Sequence, residues 1–489
     1  MHLASLPDRR ASTHPNDRAV SDSRGSLTNR DLLSRVQACA AHLAEAGVGP
    51  RDVVALRLTN RGELIVLLFA AWRLGAAVTP VNPALTRGEV QRQVLDAQAR
   101  VVVVEGGMRI DGVPTLDVDT VGGDHAGATV AAHEGSSGLA LLIYTSGTTG
   151  TPKGVMLDHA NIDHMARMIV EGLGIGADDR CLLILPLFHV NGLVVSVISP
   201  LLAGGSVHVS DRFDPQTFFA VVREQRPTFV SVVPTILSML TALPDDAPVD
   251  TSSLRFIVCG AAPAASDLLD RAERRFDTPV LEGYGLSEGT CASTVNPIAG
   301  PRKAGTVGVA LPGQEVRIMS EAGEILPTGV DGEVVVRGPN VMRGYLNRPV
   351  ETAATVIDGW LHTGDLGRLD ADGYLTIVGR SKDMIIRGGE NIYPKEIEDV
   401  LTADPTVLEA AVIGVPDETW GEVVVAYVQP RPGRIIDVEA LAQRCAVALS
   451  RYKRPTRIIA VDTIPTNAVG KIDKRALRAS HLMEPQETG

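Results

Sequence analysis

Aromatic side chains make up only 4% of the 489 residues, and charged side chains only 21%. The core must therefore be packed from Val, Leu, Ile and Ala, and the 45% hydrophobic content argues against a disordered chain. Positive charge is also short. The formal net charge of −12 excludes a general nucleic-acid footprint, because such surfaces neutralise phosphates with Lys and Arg. Cysteine is scarce and badly arranged for cross-linking. Cys39, Cys181, Cys259, Cys291 and Cys445 are odd in number, widely spaced and without a CxxC pair, which argues against a disulfide framework or a zinc site and fits a reducing cytoplasm. No hydrophobic run is long enough to span a membrane: 64–78 is interrupted by Arg73, and 193–209 by Pro200, Gly204 and Gly205. The first ten residues, MHLASLPDRR, lack an apolar core followed by a cleavage site, so no secretory signal is expected.

What the chain does have is 48 glycines and 30 prolines, the punctuation of many turns, and Val/Ile/Leu runs alternating with segments of helical period. That pattern predicts an α/β fold with a parallel sheet covered by helices. Strands are expected at 53–58, 100–104, 139–144, 229–233 and 255–259, and a helix at 63–74 closed by Gly75. A helix following the glycine-rich stretch at 146–154 places Ile162, Met165, Ala166, Ile169 and Val170 on one face. Ser266 is an expected N-cap for a helix with Leu269, Ala272 and Phe276 inward. Past about residue 380 the style changes to helix (396–402), strands (408–415, 422–429) and helix (438–449). The expectation is a large domain over 1–380 and a small α+β domain over 381–489, a tail of about 110 residues.

The richest segment is Tyr144-Thr-Ser-Gly-Thr-Thr-Gly-Thr-Pro-Lys-Gly154, read as lying between an apolar strand and a helix. Its glycines turn backbone amides toward an anion. Thr145, Ser146, Thr148 and Thr149 add hydroxyl donors, and Lys153 adds a positive charge, so the segment is equipped to hold phosphates. Pro152 precedes the lysine and Gly154 follows it, which departs from the P-loop pattern. The bland alternative is a Thr/Gly-rich surface turn.

Together with other segments, this loop resembles the phosphate-binding segment of the adenylate-forming superfamily, and within it the acyl-CoA synthetases and fatty-acid–CoA ligases. The family order is kept in Leu185-Pro-Leu-Phe-His-Val-Asn-Gly192, Gly260-Ala-Ala-Pro263, Gly283-Tyr-Gly-Leu-Ser-Glu-Gly-Thr290, Trp360-Leu-His-Thr-Gly-Asp365, Gly379-Arg-Ser-Lys-Asp383, Arg387-Gly-Gly-Glu-Asn-Ile-Tyr-Pro394 and Asn467-Ala-Val-Gly-Lys471. The resemblance implies an AMP-forming acid–thiol ligase that uses ATP, Mg²⁺ and coenzyme A, with a mobile C-terminal domain. It assigns the phosphates to Thr145, Ser146, Gly147, Thr148, Thr149 and Lys153, and the Mg²⁺ to Glu288. It assigns adenine to Tyr284 and the backbone of Gly260, Ala261 and Ala262, the α-phosphate to Ser287 beside Gly285, and the ribose to Asp365 with Arg380. Lys471 would offset the repulsion between substrate carboxylate and α-phosphate. Lys382 would be the hinge, Gly388 and Gly389 the lining of the thiol tunnel, and His189 a residue beside the acyl pocket with a direct or a gating role.

By the same resemblance the acyl pocket draws on His189, Val190, Asn191, Val233, Cys259 and Gly283. These segments carry almost no charge, and relatives that activate dicarboxylates place an arginine where Gly283 stands. The expected substrate is therefore an apolar monocarboxylate, whether fatty, aromatic or alicyclic. Two other readings stay open. One is an acyl-AMP ligase that passes its product to a carrier protein or partner ligase acting in trans; the other is a nucleotide-binding regulator without catalysis.

Overall fold

The computed structural model describes residues 3–133, 138–145, 152–244, 249–262, 264–466 and 472–483. Its contacts divide the chain into two compact units: Met1–Ala264, Leu268–Val316 and Val335–His362 form the first, and Ala265–Asp267, Arg317–Val334 and Thr363–Gly489 the second.

The first unit is built on two large mixed sheets. In one, Val53–Arg57, Ala77–Pro80, Val101–Val104 and Leu139–Thr145 run parallel. Val101–Val104 is buried along its whole length, as a central parallel strand should be. In the other, Val280–Tyr284, Phe256–Cys259, Phe229–Val232, Arg180–Leu183, Ser206–Val209 and Arg18–Asp22 are successive parallel neighbours. The helix Gly62–Arg73 is buried on almost every side from Leu64 to Trp72. Its indole Nε1 donates to the Ala140 carbonyl at 2.9 Å, and the buried Arg73 meets Asp8 through two 2.7 Å bonds that neutralise its charge.

Two sequence expectations are corrected here. The phosphate-loop candidate does not run from a strand into a helix: Lys153–Asp158 is itself a strand, antiparallel to Leu139–Thr145, with Thr145 opposite Lys153. Gly154, Val155 and Leu157 are buried while Met156 is less so, and the short segment pairs along the sheet before Asp158 caps the helix His159–Gly172 with a full capping box. In the helix Ser266–Phe276 the buried row is Leu268, Ala272 and Phe276 rather than one starting at Leu269, because a strict spacing of four keeps one ridge inward.

On the strand Ser206–Val209, flanked on both sides in the second sheet, His208 is buried, and its Nδ1 lies 3.0 Å from the Ser21 hydroxyl, which also accepts from Arg180 at 3.0 Å. Burial, aided by Arg180 and Arg18 and opposed by Asp22 and Glu224, pushes the imidazole down to about 4. The unfolded chain therefore takes up this proton near pH 6.5 while the folded chain resists it. Stability should fall as pH drops from about 6.5 to about 4, by up to ~3 kcal/mol. Thermal melts of His208→Gln are expected to lose that part of the acid sensitivity.

In the second unit, the long strands Val407–Asp417 and Gly421–Pro430 form an antiparallel ladder whose two faces are both covered. Val412, Val424, Ala426 and Val428 share a core with Ile397, Leu401 and Leu441, whereas Ala411, Ile413, Val425 and Tyr427 share another with Leu477. The period of two thus sorts one ladder between two layers of helix.

Candidate active site

Four neighbouring parallel strands end on the same side of their sheet, and a singled-out segment follows or closes each. Arg180–Leu183 leads to Leu185-Pro-Leu-Phe-His-Val-Asn-Gly192, Phe229–Val232 to Val233, Phe256–Cys259 to Gly260–Ala262, and Val280–Tyr284 contains Gly283 and Tyr284. The carboxyl ends of parallel strands are where open α/β sheets bind ligands, since the loops there are free to vary on a rigid base. The segments touch. Gly260 N donates to the Val232 carbonyl at 3.1 Å, and the Ser231 hydroxyl donates to Asn191 Oδ1 at 3.1 Å. A Cβ on Gly285 would lie 2.0 Å from the Cys291 carbonyl oxygen, so only glycine fits there. Ala261 is exposed and held at φ +68°, a left-handed strain of about 1–2 kcal/mol for a residue with a Cβ. His189 precedes the short helix Val190–Leu193 and its ring lies 4.4 Å from that of Phe188. Cys259 is fully buried, and burial raises its thiol well above the ordinary range, so it packs rather than attacks.

Glu288 sits in a single helical turn, Ser287–Gly289, directly after this strand end. The turn is held from outside. Met342 N donates to the Glu288 carbonyl at 2.8 Å, Asn340 Nδ2 donates to the Gly289 carbonyl at 3.0 Å, and the Thr290 hydroxyl reaches the Asn340 carbonyl at 2.5 Å. Thr290 and Cys291 both have left-handed φ, +57° and +89°, strain that those bonds sustain. The Tyr345 hydroxyl donates to Glu288 Oε1 at 2.8 Å, and Lys153 Nζ stands 5.0 Å from the Tyr345 ring centroid. Lys153 and Glu288, predicted separately, are thus joined through one tyrosine. Among the described residues no group of three or more His, Cys, Asp or Glu could hold a metal. A hard cation at Glu288 would take its remaining ligands from phosphate oxygens and water, which suits Mg²⁺. Ser146, Gly147, Thr148, Thr149 and Lys471 lie outside the described residues.

In the second unit, Asp365 is buried at 6% exposure on the strand Trp360–Leu369 and faces Arg380 of Leu375–Arg380 in register, with Arg380 Nε 2.5 Å from Asp365 Oδ1. Lys382 follows in the turn Ser381–Asp383, where desolvation and the neighbouring Arg380 lower its ammonium. Gly388 and Gly389 form a two-residue hairpin turn with φ +60° and +86°, between Ile385–Arg387 and Glu390–Ile392. A Cβ on Gly388 would meet the Trp420 ring at 2.9 Å. Trp420 is half exposed, and the Arg387 guanidinium lies 5.7 Å from its ring centroid. Thr466 and Ile472, which flank 467–471, are bridged to each other, and the helix Lys474–Met483 is tied by the Lys474–Glu398 pair at 2.6 Å.

The model of the AMP-binding enzyme family matches residues 7–346, and that of the AMP-binding enzyme C-terminal domain matches 396–471. The chain belongs to the AMP-binding enzyme family. Among curated relatives, a feruloyl-CoA synthase of an Amycolatopsis species is 38% identical, covering 97% of this chain and 98% of its own. An indoleacetate–CoA ligase of Aromatoleum aromaticum is 37% identical, covering 98% of each. The solved structure of ATP-bound MatB from Rhodopseudomonas palustris superposes with a TM-score of 0.92 at 34% identity, covering 98% of this chain and 99% of that one.

This AMP-binding enzyme is an AMP-forming acid–CoA ligase that uses ATP and Mg²⁺ and takes coenzyme A as co-substrate. No helix among the described residues is long and apolar enough to cross a membrane. Sequence reasoning passed over three residues of the AMP-binding enzyme. Tyr345 and Asn340 lie 57 and 51 residues from the turn they support, in a stretch singled out by no motif. Trp420 reads locally as one aromatic in a polar turn; its exposure beside a glycine hairpin is visible only once the chain is folded.

Proposed function

We propose that the acid activated by this ligase is an apolar monocarboxylate, and an aromatic one before a fatty or alicyclic one. The observation that carries the reading is that no Lys, Arg, Asp or Glu stands in 189–193, 231–235, 259–262 or at Gly283. A second carboxylate would be desolvated there without a partner. Relatives named for feruloyl-CoA and indoleacetate point toward rings.

In the reading we adopt, Lys153 and the hydroxyls of Thr145, Ser146, Thr148 and Thr149 hold the triphosphate. Gly147 belongs to the same phosphate set, and Glu288 would hold the cation, which would supply positive charge against the phosphates. Tyr284 and the backbone of Gly260–Ala262 receive adenine, Ser287 beside Gly285 contacts the α-phosphate, and Asp365 with Arg380 takes the ribose. His189, Val190, Asn191, Val233, Cys259 and Gly283 surround the acyl group. The carboxylate oxygen attacks the α-phosphorus, pyrophosphate departs, and Lys471 offsets the charge that builds between the two anions. A thiol then attacks the acyl carbon and AMP leaves. Lys382 is the pivot for a C-terminal domain beginning near residue 381, and Gly388 and Gly389 let the pantetheine arm pass close to backbone. The exposed Trp420 ring and Arg387 guanidinium beside that hairpin suit the base and phosphates of coenzyme A better than a carrier-protein surface. Five free, buried cysteines and a dependence on ATP and coenzyme A fit a cytoplasmic enzyme.

The test is pyrophosphate release from Mg-ATP over a panel of cinnamic-type, arylacetic, fatty, alicyclic and dicarboxylic acids, with and without coenzyme A, the products identified by mass. Aromatic monoacids are expected to give acyl-CoA with kcat/KM at least about tenfold above dicarboxylates of similar size. Preference for a dicarboxylate would remove the proposed substrate class. Adenylate accumulating whether or not coenzyme A is present would move the acceptor to a carrier protein.

A further inference from the structure

We infer that Tyr345 is a positioning residue for adenylation: its ring carries Lys153 and its hydroxyl aims Glu288, so that one side chain sets the phosphate-binding charge and the cation-binding carboxylate in register. The inference rests on the roles proposed above for Lys153 and Glu288.

Three observations support it. Tyr345 is 8% exposed and its backbone is fixed on both sides: Tyr345 is paired with Val155 across an antiparallel bridge, Tyr345 N donates to Thr352 Oγ1 at 2.9 Å, and Leu346 N donates to the Gly154 carbonyl at 2.8 Å. The ring is therefore locked to the strand that begins with Lys153, whose ammonium stands 5.0 Å from its centroid, within reach of the negative π face. Among the described residues Lys153 forms no ion pair, so the ring holds the ammonium without neutralising it. The hydroxyl donates to Glu288 Oε1 at 2.8 Å. A phenol is protonated at physiological pH, so the hydroxyl is the donor and the carboxylate the acceptor. With Oε1 engaged by the hydroxyl, the carboxylate is restrained and Oε2 would remain for a cation.

The two contacts can be separated on the full-length enzyme. Tyr345→Phe keeps the ring under Lys153 and removes only the hydrogen bond to a charged acceptor. The free Mg²⁺ needed for half-maximal pyrophosphate release should rise about tenfold, with the KM for the acid and for coenzyme A unmoved. Tyr345→Leu should add a rise of several-fold in the KM for ATP at saturating Mg²⁺, because the ammonium loses its platform. Glu288→Gln is the reference. It should raise the Mg²⁺ requirement further, and adding Tyr345→Phe to it should shift nothing more, since the tyrosine acts through the carboxylate. A structural role alone would lower the melting temperature and move all KM values together, and that result overturns the inference. A Tyr345→Phe enzyme with wild-type Mg²⁺ dependence, beside a Glu288→Gln enzyme that is shifted, overturns it while leaving the Glu288 role intact. Wild-type Mg²⁺ dependence in Glu288→Gln removes that role and this inference with it.

Discussion

Replacing Lys471 by alanine is expected to lower acyl-adenylate formation by about 10³-fold while leaving the fold and ATP binding nearly unchanged. A carboxylate and the α-phosphate of ATP are both anionic. The attack brings their charges together in the transition state, where a single fixed ammonium has its largest effect and where solvent cannot reorganise in time to replace it. The helix that follows is held by contacts of its own: Thr466 is bridged to Ile472, Lys474 pairs with Glu398 at 2.6 Å and Tyr427 meets His481 at 2.7 Å. The second half-reaction provides an internal control. Given chemically prepared acyl-adenylate and coenzyme A, the variant should form acyl-CoA at close to the wild-type rate, because the carboxylate–phosphate repulsion has already been overcome in making that substrate. Pyrophosphate release that stays within tenfold of wild type would falsify the role of Lys471.

Asp365→Asn should raise the KM for ATP about 10²-fold with a much smaller effect on the KM for the acid. An ionised carboxylate has two acceptor oxygens and so can bind both ribose hydroxyls; an amide keeps one acceptor and turns a donor toward the other hydroxyl. Hydrogen bonds to a charged acceptor contribute about 1.5–3 kcal/mol each, which yields a change of that size when two are impaired. The substitution also removes the negative charge that faces Arg380 across the strand pair at 2.5 Å. Arg380→Gln therefore separates the effects: it should cost less ATP affinity than Asp365→Asn, since the carboxylate survives. Initial rates at varied ATP, with melting temperature as the control for folding, decide the matter. A KM for ATP within threefold of wild type in Asp365→Asn would remove the ribose assignment.

Much of the first unit was legible without coordinates. Within the runs at 53–58 and 100–104, residues 53–56 and 101–104 are apolar on consecutive positions, which a strand buried on both faces requires, and they fold as Val53–Arg57 and Val101–Val104. In the second unit the expected strands and helices at 396–449 appear with ends moved by one or two residues, because caps and bulges rather than hydrophobic period set element ends. The segment 144–154 could be singled out because its chemistry is local, glycines that can turn with hydroxyls and a lysine suited to one anion, whereas Glu288 was singled out by resemblance.

The sequence by itself determined which strands pack as a parallel α/β layer and which segment carries groups suited to phosphate, since periodicity and residue chemistry are carried by neighbours along the chain; the expected ribose and cation residues came from the order of motifs shared with a family. Tertiary structure alone decided that the phosphate-loop candidate turns back into an antiparallel strand, that Leu268 rather than Leu269 faces inward, and that Tyr345 joins Lys153 to Glu288. Each of those outcomes depends on strand register or on a contact between residues far apart in sequence. Such contacts are selected by the packing and hydrogen-bond satisfaction of the whole sheet, for which no short stretch of residues carries the information.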